Sequence, residues 1–286
     1  MNGDLVGKTI LVTGATEGIG KAAALDFARR GATLVLVGRN PEKTERVRSE
    51  LAQASGNQRI ETIVADLSLV AENRRVAREF LAKHNELHVL VNNAGAIFNT
   101  RRLTAEGYEM TFALNHLAYF VLTEELLDVL QKTPGARIVS TSSGAHAQGK
   151  LDFDNWIRRE GRFFGFAVYG ASKLANILFT RELSRRLEGT GVTVNCFHPG
   201  FVSTGFGSAN GLMSPFIKAG AILFGRTAEK GAETLIWLAT SPDAANVTGE
   251  YFMDKKPARR TRKARNDEAA KQLWELTEGL VAPRAA

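Results

Sequence analysis

The chain has 286 residues, with 37 Lys and Arg against 30 Asp and Glu, and a formal net charge of +7. Its hydrophobic fraction of 44% is enough to bury a sizeable core, which excludes disorder over most of the length. The single cysteine, Cys196, excludes an intramolecular disulfide framework and favours a reducing compartment, so we expect a cytoplasmic protein.

Short apolar segments alternate with longer segments of helical pattern along the chain. Most of the apolar segments are continuous, which is typical of parallel strands buried on both faces. The predicted strands are residues 9–12, 33–37, 60–64, 89–91, 137–140, 192–196 and 250–253, and the predicted helices are residues 20–30, 42–54, 69–83, 109–131, 172–187 and 227–239. This alternation predicts an α/β protein with a doubly wound parallel sheet of about seven strands and helices on both faces. No linker or internal repeat divides it, so we predict one domain over residues 1–286.

A glycine-rich loop, TGATEGIG at residues 13–20, joins the first predicted strand to the first predicted helix. Glycines there permit a tight turn and let the backbone approach a pyrophosphate, while the helix N-terminus supplies N–H donors to the phosphates. An ordinary strand-to-helix turn is the alternative interpretation. The position between strand and helix favours dinucleotide binding in a Rossmann-type sheet. The candidate binding residues of this loop are Gly14, Thr16, Glu17, Gly18, Ile19 and Gly20.

The end of the second predicted strand carries no acidic residue that could accept both ribose hydroxyls of NAD. Gly38 stands there and Arg39 follows it, so a guanidinium is available for the 2′-phosphate of NADP. Glu17 argues the other way, because its negative charge could oppose that phosphate, and Arg39 could simply be a solvated loop residue. We predict NADP(H) as the cofactor in preference to NAD(H).

Small and polar residues follow the third and fourth predicted strands. Asp66 and Leu67 come after the third strand, where the adenine should lie, and Asn93, Ala94 and Gly95 come after the fourth. Each pair or triplet alone is an unremarkable turn. Together they lie at the carboxyl ends of successive strands, which is where open α/β sheets bind ligands, so we predict that they contact the cofactor.

Tyr169 and Lys173 form the strongest local pattern in the sequence. Residues four apart on a helix share a face, and a nearby ammonium favours the phenolate form of a tyrosine. A tyrosine with a lowered pKa can act as an acid or base for a carbonyl or alcohol oxygen near neutral pH. A surface Tyr/Lys pair would be the simpler interpretation if the pattern stood alone.

Further motifs accompany this pair in a fixed order. The fifth predicted strand ends in the hydroxyl cluster STSS at residues 140–143, and Asn115 lies inside a long predicted helix, where Asn is a poor helix former. With these features the sequence resembles the short-chain dehydrogenase/reductase family, through its TGxxxGxG, NNAG, helical Asn, paired serines, YxxxK and HPG motifs. These motifs span residues 9 to about 205.

The resemblance implies roles for these residues. Tyr169 would be the proton donor or acceptor, Lys173 would lower its pKa and hold the nicotinamide ribose, and Ser143 rather than Ser142 would orient the substrate oxygen. Asn115 would hold a water in a proton relay to Lys173. The segment that resembles the loop around the nicotinamide carboxamide contains His198, Pro199, Gly200, Val202 and Thr204. Cys196 is more simply interpreted as a buried strand residue.

An insertion before the tyrosine indicates a branch of the family. Residues 146–167 carry Phe153, Trp156, Phe163, Phe164 and Phe166, and with the final LWEL at residues 273–276 they resemble the retinol-dehydrogenase-like branch, which includes relatives of protochlorophyllide reductase. The apolar residues 212–224 follow the HPG loop and predict a substrate lid over about 205–225, with completion of the core as the alternative. We expect a hydrophobic alcohol, aldehyde or ketone as substrate.

The excess positive charge lies in residues 255–265, which carry seven basic and no acidic residues. The other 30 basic residues (37 less 7) equal the acidic residues in number. Pro257 disrupts a continuous helix in this stretch, which precedes a short final helix. We therefore interpret the stretch as a solvated loop near the pocket mouth. An anionic substrate, partner or lipid surface is the alternative, and nucleic-acid binding is not expected.

The remaining expectations concern class and assembly. No run of 18 apolar residues and no signal-peptide pattern occurs, so we expect no membrane span. The motifs include no metal site. The resemblance implies an NAD(P)(H)-dependent enzyme acting on CH–OH or C=O groups as a homodimer or homotetramer. A non-catalytic NADP(H)-binding regulator is the alternative, although it predicts an impaired set of catalytic residues.

Overall fold

A computed structural model describes residues 3–153, 155, 160–202 and 225–282, and it contains one eight-stranded sheet in the order β3-β2-β1-β4-β5-β6-β7-β8. The strands are β1 (Thr9–Thr13), β2 (Thr33–Gly38), β3 (Ile60–Val64), β4 (Val89–Asn92), β5 (Arg137–Thr141), β6 (Thr193–Phe197), β7 (Tyr251–Met253) and β8 (Lys256–Pro257). The first seven are parallel and β8 is antiparallel to β7. The prediction of a doubly wound sheet is confirmed, with one more strand than expected.

The strand order reverses at β1, which lies between β2 and β4. The loop after β1 therefore opens at the topological switch point, the position where doubly wound sheets bind dinucleotides. The carboxyl ends of β4, β5 and β6 lie on the same edge, because these strands are parallel. The motifs that follow the strands in sequence are thus brought to one side of the sheet.

Helices connect the strands. They are α1 (Gly18–Arg29), α2 (Pro41–Ser55), α3 (Val70–Leu81), α4 (Met110–Phe112), α5 (Ala118–Glu125), α6 (Leu127–Lys132), α7 (Gly165–Arg186), α8 (Ala228–Thr240) and α9 (Asp267–Val281). None of the helices among the described residues is both long and apolar enough to cross a membrane.

Alternate residues of the strands pack against helices on opposite faces. On one face, Ile10 and Val12 belong to a core with Phe27 of α1 and Leu235 of α8. On the other face, Leu11 belongs to a core with residues of α3, α5 and α7. Because strand side chains alternate between faces, a strand that is apolar at every position can bury both sides, which explains the continuous apolar segments.

Two predicted elements differ from the structure. The helix predicted over 109–131 is interrupted, because a π-helical segment, Ala113–Leu117, separates α4 from α5, and α5 ends before α6 begins. The helix predicted over 172–187 begins earlier, at Gly165. Periodicity detects a helix but does not distinguish one turn with i→i+5 bonds from the α-helical turns around it.

The basic stretch 255–265 is more ordered than the solvated loop we predicted. Lys256 and Pro257 form the edge strand β8, where a proline costs no ladder bond within the sheet. Residues Lys263–Arg265 form a 3₁₀ turn with Ala264 buried. Most of its cationic side chains remain exposed.

Candidate active site

The glycine loop packs so closely on its surroundings that side chains are excluded from it. Gly14 has φ +65°, and a Cβ there would lie 2.8 Å from Ala94 Cα. A Cβ on Gly20 would lie 2.3 Å from the Gly14 carbonyl oxygen. The loop leads directly into α1, whose first residue is Gly18. The side chain of the preceding residue, Glu17, forms no capping hydrogen bond with the helix N-terminus. This backbone-lined entrance to a helix N-terminus fits the pyrophosphate of a dinucleotide.

Asn93 holds the loop in place. Its Nδ2 donates to the Thr13 carbonyl at 3.1 Å and to the Gly14 carbonyl at 3.3 Å, and its Oδ1 accepts from Thr141 Oγ1 at 3.1 Å. The backbone N–H groups of Asn93 and Ala94 both donate to Thr13 Oγ1. The side chain of Asn93 is therefore committed to the protein, so that this segment presents backbone and small residues to a ligand.

The end of β2 excludes an acidic side chain. A Cβ on Gly38 would lie 2.3 Å from Thr44 Oγ1 and 2.7 Å from Thr16 Cγ2. Arg39 is exposed beside it. The Glu17 carboxylate, which we expected to oppose a phosphate, forms an ion pair with Lys43 Nζ. Lys43 did not stand out in the sequence, because its partner lies 26 residues away.

The segment after β3 is less open than expected. The Asp66 carboxylate accepts hydrogen bonds from the backbone N–H of Ser68 at 3.0 Å and from its hydroxyl at 2.7 Å. The Leu67 side chain is buried in the core. Asp66 stays partly exposed at the sheet edge and can still meet a ligand, whereas Leu67 can do so only through its backbone.

Tyr169 and Lys173 lie one turn apart on α7. Lys173 is buried, its Nζ donates to the Thr141 carbonyl at 3.0 Å, and it lies 5.6 Å from the centre of the Tyr169 ring. A Cβ on Gly95 would lie 3.1 Å from Asn115 Oδ1 and 3.5 Å from Lys173 Nζ, so the residue after β4 lies against the asparagine and close to the lysine. The loop after β4 and the catalytic pair thus lie next to each other at the carboxyl edge of the sheet.

The pKa values of the pair are shifted by burial. Desolvation raises the pKa of Tyr169 to about 12, and a hydrogen bond with Ser143 acts in the opposite direction. Desolvation lowers the pKa of Lys173 to about 7. The sequence led us to expect that the lysine lowers the pKa of the tyrosine. In the structure the direction is the reverse, because the loss of solvent disfavours the charged form of both groups.

The two serines after β5 have different environments. Ser142 is buried and its hydroxyl donates to the Lys173 carbonyl at 2.8 Å. Ser143 is half-buried, hydrogen-bonds with Tyr169 and accepts from the Ala145 N–H at 3.2 Å. Only the second serine thus faces the tyrosine, as the resemblance implied.

Asn115 lies in the π-helical segment and forms hydrogen bonds to Ala96, in the loop after β4. Its Oδ1 accepts from the Ala96 N–H at 2.9 Å, and its Nδ2 donates to the Ala96 carbonyl and to Ser172 Oγ at 3.0 Å each. Both ends of the amide are therefore engaged. The water-holding role implied by the resemblance stays a prediction, while the structure assigns the side chain a bracing role between π segment, β4 loop and α7.

The loop after β6 begins at the same carboxyl edge of the sheet. Arg226 lies across it, so that a Cβ on Gly200 would be 2.8 Å from Arg226 Cδ, and the same guanidinium pairs with Asp254. The side chains of Val202 and Ile19 both pack against Gly231 of α8. Gly231 is therefore a common packing point for this loop and the glycine loop. Pro199 is half-buried beside them. Thr204 and the predicted lid lie outside the described residues, apart from residue 225.

The aromatic insertion lies partly beside the tyrosine. Phe164 and Phe166 are 60% and 52% exposed, and the Phe166 ring lies 6.5 Å from that of Tyr169. Phe153 packs against the core, and Trp156 lies outside the described residues. Among the residues that the structure describes, no group of three His, Cys, Asp or Glu side chains could hold a metal ion.

Comparisons with known proteins agree with this arrangement. Residues 8–213 match the short chain dehydrogenase family. The chain is 38% identical over 288 residues to retinol dehydrogenase 14 of Mus musculus, which covers 96% of this chain and 86% of the relative. It is 39% identical over 284 residues to retinol dehydrogenase 11 of Homo sapiens, covering 97% and 86%.

Solved structures show the same fold. A protein described only as uncharacterized, from Mycobacterium paratuberculosis, has a TM-score of 0.78 at 28% identity and covers 97% of this chain and 94% of that one. A short chain dehydrogenase from Burkholderia cenocepacia J2315, solved in complex with NADP, has a TM-score of 0.70 at 27% identity and covers 87% and 96%.

Proposed function

The chain belongs to the short chain dehydrogenase family, and from this premise we propose that it is an NADP(H)-dependent oxidoreductase that interconverts a hydrophobic alcohol and its aldehyde or ketone. The observation that carries the proposal is the constellation around Tyr169. The Tyr169 side chain hydrogen-bonds with Ser143 and lies beside the buried amine of Lys173, and the segment from Ala94 to Gly95 lies between this lysine and the glycine loop.

The proposal of NADP(H) rests on the corner between the glycine loop and α2. No acidic side chain fits at Gly38, Arg39 is exposed, and Glu17 is neutralised by Lys43. A guanidinium is a strong partner for a phosphate because it offers several N–H donors and a permanent charge. Solved relatives in complex with NADP support the same choice.

The residues that would hold the cofactor form a path along the carboxyl edge of the sheet. The pyrophosphate would meet the backbone of the loop from Gly14 to Gly20, the nicotinamide ribose would meet Tyr169 and Lys173, and the carboxamide would meet the loop from Pro199 to Val202. When bound, the nicotinamide group supplies or accepts the hydride at the substrate carbon.

The chain itself moves the proton. In reduction, Tyr169 donates its hydroxyl proton to the substrate oxygen, and in oxidation it removes that proton. A raised pKa keeps Tyr169 protonated at neutral pH in the protein without ligands, which suits proton donation. Ser143 orients the same oxygen by a hydrogen bond, and Lys173 holds the carbonyl of Thr141 so that α7 stays close to the end of β5.

The exposed aromatic rings that precede Tyr169 in the chain favour a hydrophobic substrate. Phe164 and Phe166 present exposed apolar surface, and the Phe166 ring lies beside that of Tyr169, so binding a hydrophobic molecule there would remove apolar surface from water. The similarity to proteins named retinol dehydrogenases points in the same direction. We propose a hydrophobic carbonyl compound as a class and leave the individual substrate to a screen.

The test is the replacement Tyr169→Phe in the purified enzyme. We expect turnover of a hydrophobic aldehyde with NADPH to fall about 10²- to 10⁴-fold, the usual contribution of a general acid, while NADPH binding stays close to that of the native enzyme. Tyr108→Phe is the matched control, because Tyr108 instead donates to the Leu280 carbonyl at 2.8 Å. Near-native turnover of Tyr169→Phe would contradict the mechanism and favour a binding protein without this catalysis.

Other parts of the sequence-based interpretation are retained as proposals. They are a single dinucleotide-binding and catalytic domain over residues 1–286, a cytoplasmic location, a homodimer or homotetramer, and no nucleic-acid partner. The non-catalytic regulator is less well supported, since Asn115, Ser143, Tyr169 and Lys173 lie in one site.

A further inference from the structure

The 3₁₀ turn Gly144–Gln148 begins directly after Ser143 and holds both polar groups of that serine. The Ser143 hydroxyl accepts from the Ala145 N–H at 3.2 Å. The Ser143 carbonyl accepts twice from His146, from the backbone N–H at 3.1 Å and from the ring Nδ1 at 2.8 Å. Because a carbonyl oxygen can only accept, Nδ1 carries the hydrogen in this contact. The backbone of Ser143 is therefore tied to the ring of His146.

The turn is supported from outside, as a five-residue run of 3₁₀ helix requires, because its own hydrogen bonds have poor geometry. The His146 ring is buried and meets the ring of Tyr251 on β7 edge to face, with 5.0 Å between the ring centres. At the other end of the turn, Lys263 Nζ donates to the carbonyl of Gly149 at 3.1 Å. One residue of the basic stretch 255–265 thus holds the end of this turn.

The same turn lies against α7 at the residue that follows Tyr169. A Cβ on Gly170 would lie 2.7 Å from the Ala145 carbonyl oxygen, and a Cβ on Gly149 would lie 2.5 Å from the Gly170 carbonyl oxygen. The backbones of the turn and of α7 are therefore in direct contact. Ser143 and Tyr169 hydrogen-bond beside this contact, so a displacement of the turn would change the distance between their side chains.

We propose that His146 is a positioning residue for the reaction, because its ring N–H fixes the carbonyl of Ser143 and thereby holds the serine hydroxyl toward Tyr169 and the substrate oxygen. Lys263 gives the same turn a second anchor, at Gly149. His146 acts only through Ser143 and takes no proton from the substrate. This inference rests on the proposed function, because it assumes that Ser143 orients the substrate oxygen.

The experiment is a double-mutant cycle between His146 and Ser143, measured as kcat/KM for a hydrophobic aldehyde with NADPH. A residue that acts through Ser143 has no further effect once the serine hydroxyl is removed, whereas a residue that only stabilises the fold has the same effect in both backgrounds. We expect His146→Leu to lower kcat/KM about tenfold in the native enzyme, because a small displacement of an orienting group slows the reaction, and less than about twofold in Ser143→Ala.

Two further substitutions separate the hydrogen bond from the packing of the ring. In His146→Asn the amide N–H lies near the position of Nδ1, whereas in His146→Gln it lies one bond farther from the backbone. We expect His146→Asn to keep kcat/KM within about twofold of the native value and His146→Gln to lose about as much as His146→Leu. Lys263→Met changes an exposed residue and should lower kcat/KM about threefold, but not when Ser143 is already alanine.

His88→Leu is the matched control, because His88 is also a buried histidine with one hydrogen bond to the backbone. Its Nδ1 accepts from the Thr9 N–H at 3.1 Å, at the amino end of β1 and so at the opposite edge of the sheet. Urea unfolding and NADPH titration accompany the kinetics for every variant. We expect His88→Leu to unfold at lower urea with native kcat/KM, and all variants to bind NADPH as the native enzyme does.

Other results overturn the inference. An equal loss for His146→Leu with and without the Ser143 hydroxyl would show that the histidine only stabilises the fold. Equal kcat/KM values for His146→Asn and His146→Gln would show that the Nδ1 hydrogen bond does not matter, and this comparison decides the question if the leucine variant does not fold. Additive losses for Lys263→Met and Ser143→Ala would remove Lys263 from the proposal. Native turnover in both Ser143→Ala and Tyr169→Phe would instead refute the proposed function, whatever the His146 variants do.

Discussion

Ser142 and Ser143 are adjacent in the chain, but their hydroxyl groups act in different parts of the molecule. Ser142 is 1% exposed and donates to the Lys173 carbonyl, whereas Ser143 is half-buried and hydrogen-bonds with Tyr169. Extended residues point their side chains to opposite sides, so one serine faces α7 and the other faces the site. At the residue scale, neighbouring positions of the same type therefore have separable roles.

This separation predicts opposite phenotypes. Ser143→Ala should lower kcat/KM about 10²- to 10³-fold, the usual loss for one hydrogen-bond donor that stabilises a reacting oxygen. Ser142→Ala should lower the free energy of unfolding by about 1 kcal/mol, the net value of a buried hydrogen bond, and reduce turnover much less. Urea unfolding and steady-state kinetics on both variants check this. A larger kinetic loss for Ser142→Ala would reverse the assignment.

At the level of one element, the glycine loop and the start of α1 leave no space for a side chain at Gly20. Gly20 packs against the carbonyl oxygen of Gly14 and against Asn93 Nδ2, and a Cβ would lie 2.3 Å and 2.5 Å from these atoms. Neither can move freely, because Gly14 belongs to the loop backbone and Asn93 Nδ2 donates to two carbonyls. The close approach of α1 to β1 thus depends on the absence of one methyl group.

We expect Gly20→Ala to lower the free energy of unfolding by about 1–3 kcal/mol, as overpacking does, and to weaken NADPH binding. Gly279→Ala in α9 is the control, because nothing lies within 4 Å of its added methyl group. There the substitution should stabilise the protein by about 0.5 kcal/mol through a better helix propensity. Thermal unfolding and NADPH titration distinguish the two. Unchanged binding by Gly20→Ala would contradict the close approach.

The π-helical segment is an element that periodicity did not reveal. It lies between α4 and α5 and carries Asn115, whose amide reaches both Ala96 and Ser172. Single π turns within helices often occur at functional sites. The unusual placement of an asparagine within a helical pattern was the one signal in the sequence, and it indicated the residue without indicating the altered backbone.

In the whole molecule, the basic residues that account for the net charge of +7 lie at one edge of the sheet. Residues 255–265 surround β8, and β7, β6, β5 and β4 separate this strand from β1 and its glycine loop. Arg260 is partly used in the fold, because it pairs with Glu250 and donates to the Gly249 carbonyl. Arg259, Arg262 and Arg265 are exposed.

Replacing these three exposed arginines with glutamine should weaken retention on heparin without affecting cofactor binding or catalysis. Removing three charges lowers the formal net charge from +7 to +4, so the variant should elute from heparin at lower salt. We expect NADPH affinity and kcat/KM to stay within about twofold, because screened surface charges act over about 10 Å. A tenfold loss of kcat/KM would instead place the basic segment in the substrate site.

Features that depend on residues close together in the chain could be predicted from the amino-acid pattern alone. Continuous apolar segments predicted the parallel strands, and the spacing of Tyr169 and Lys173 predicted a shared helix face, since both follow from backbone periodicity. The motif order located the edge of the sheet at which the catalytic pair lies, although it did not predict β8, the π segment or the early start of α7.

Features that need atoms from distant segments became visible once the packing of the elements was known. The pairing of Glu17 with Lys43 depends on the packing of α2 against α1 and β2, and the sequence had suggested only an unpaired negative charge. The opposite shifts in the pKa of Tyr169 and Lys173 come from burial by several elements at once. Desolvation and charge pairing depend on three-dimensional distance, and this distance is set by packing rather than by spacing along the chain.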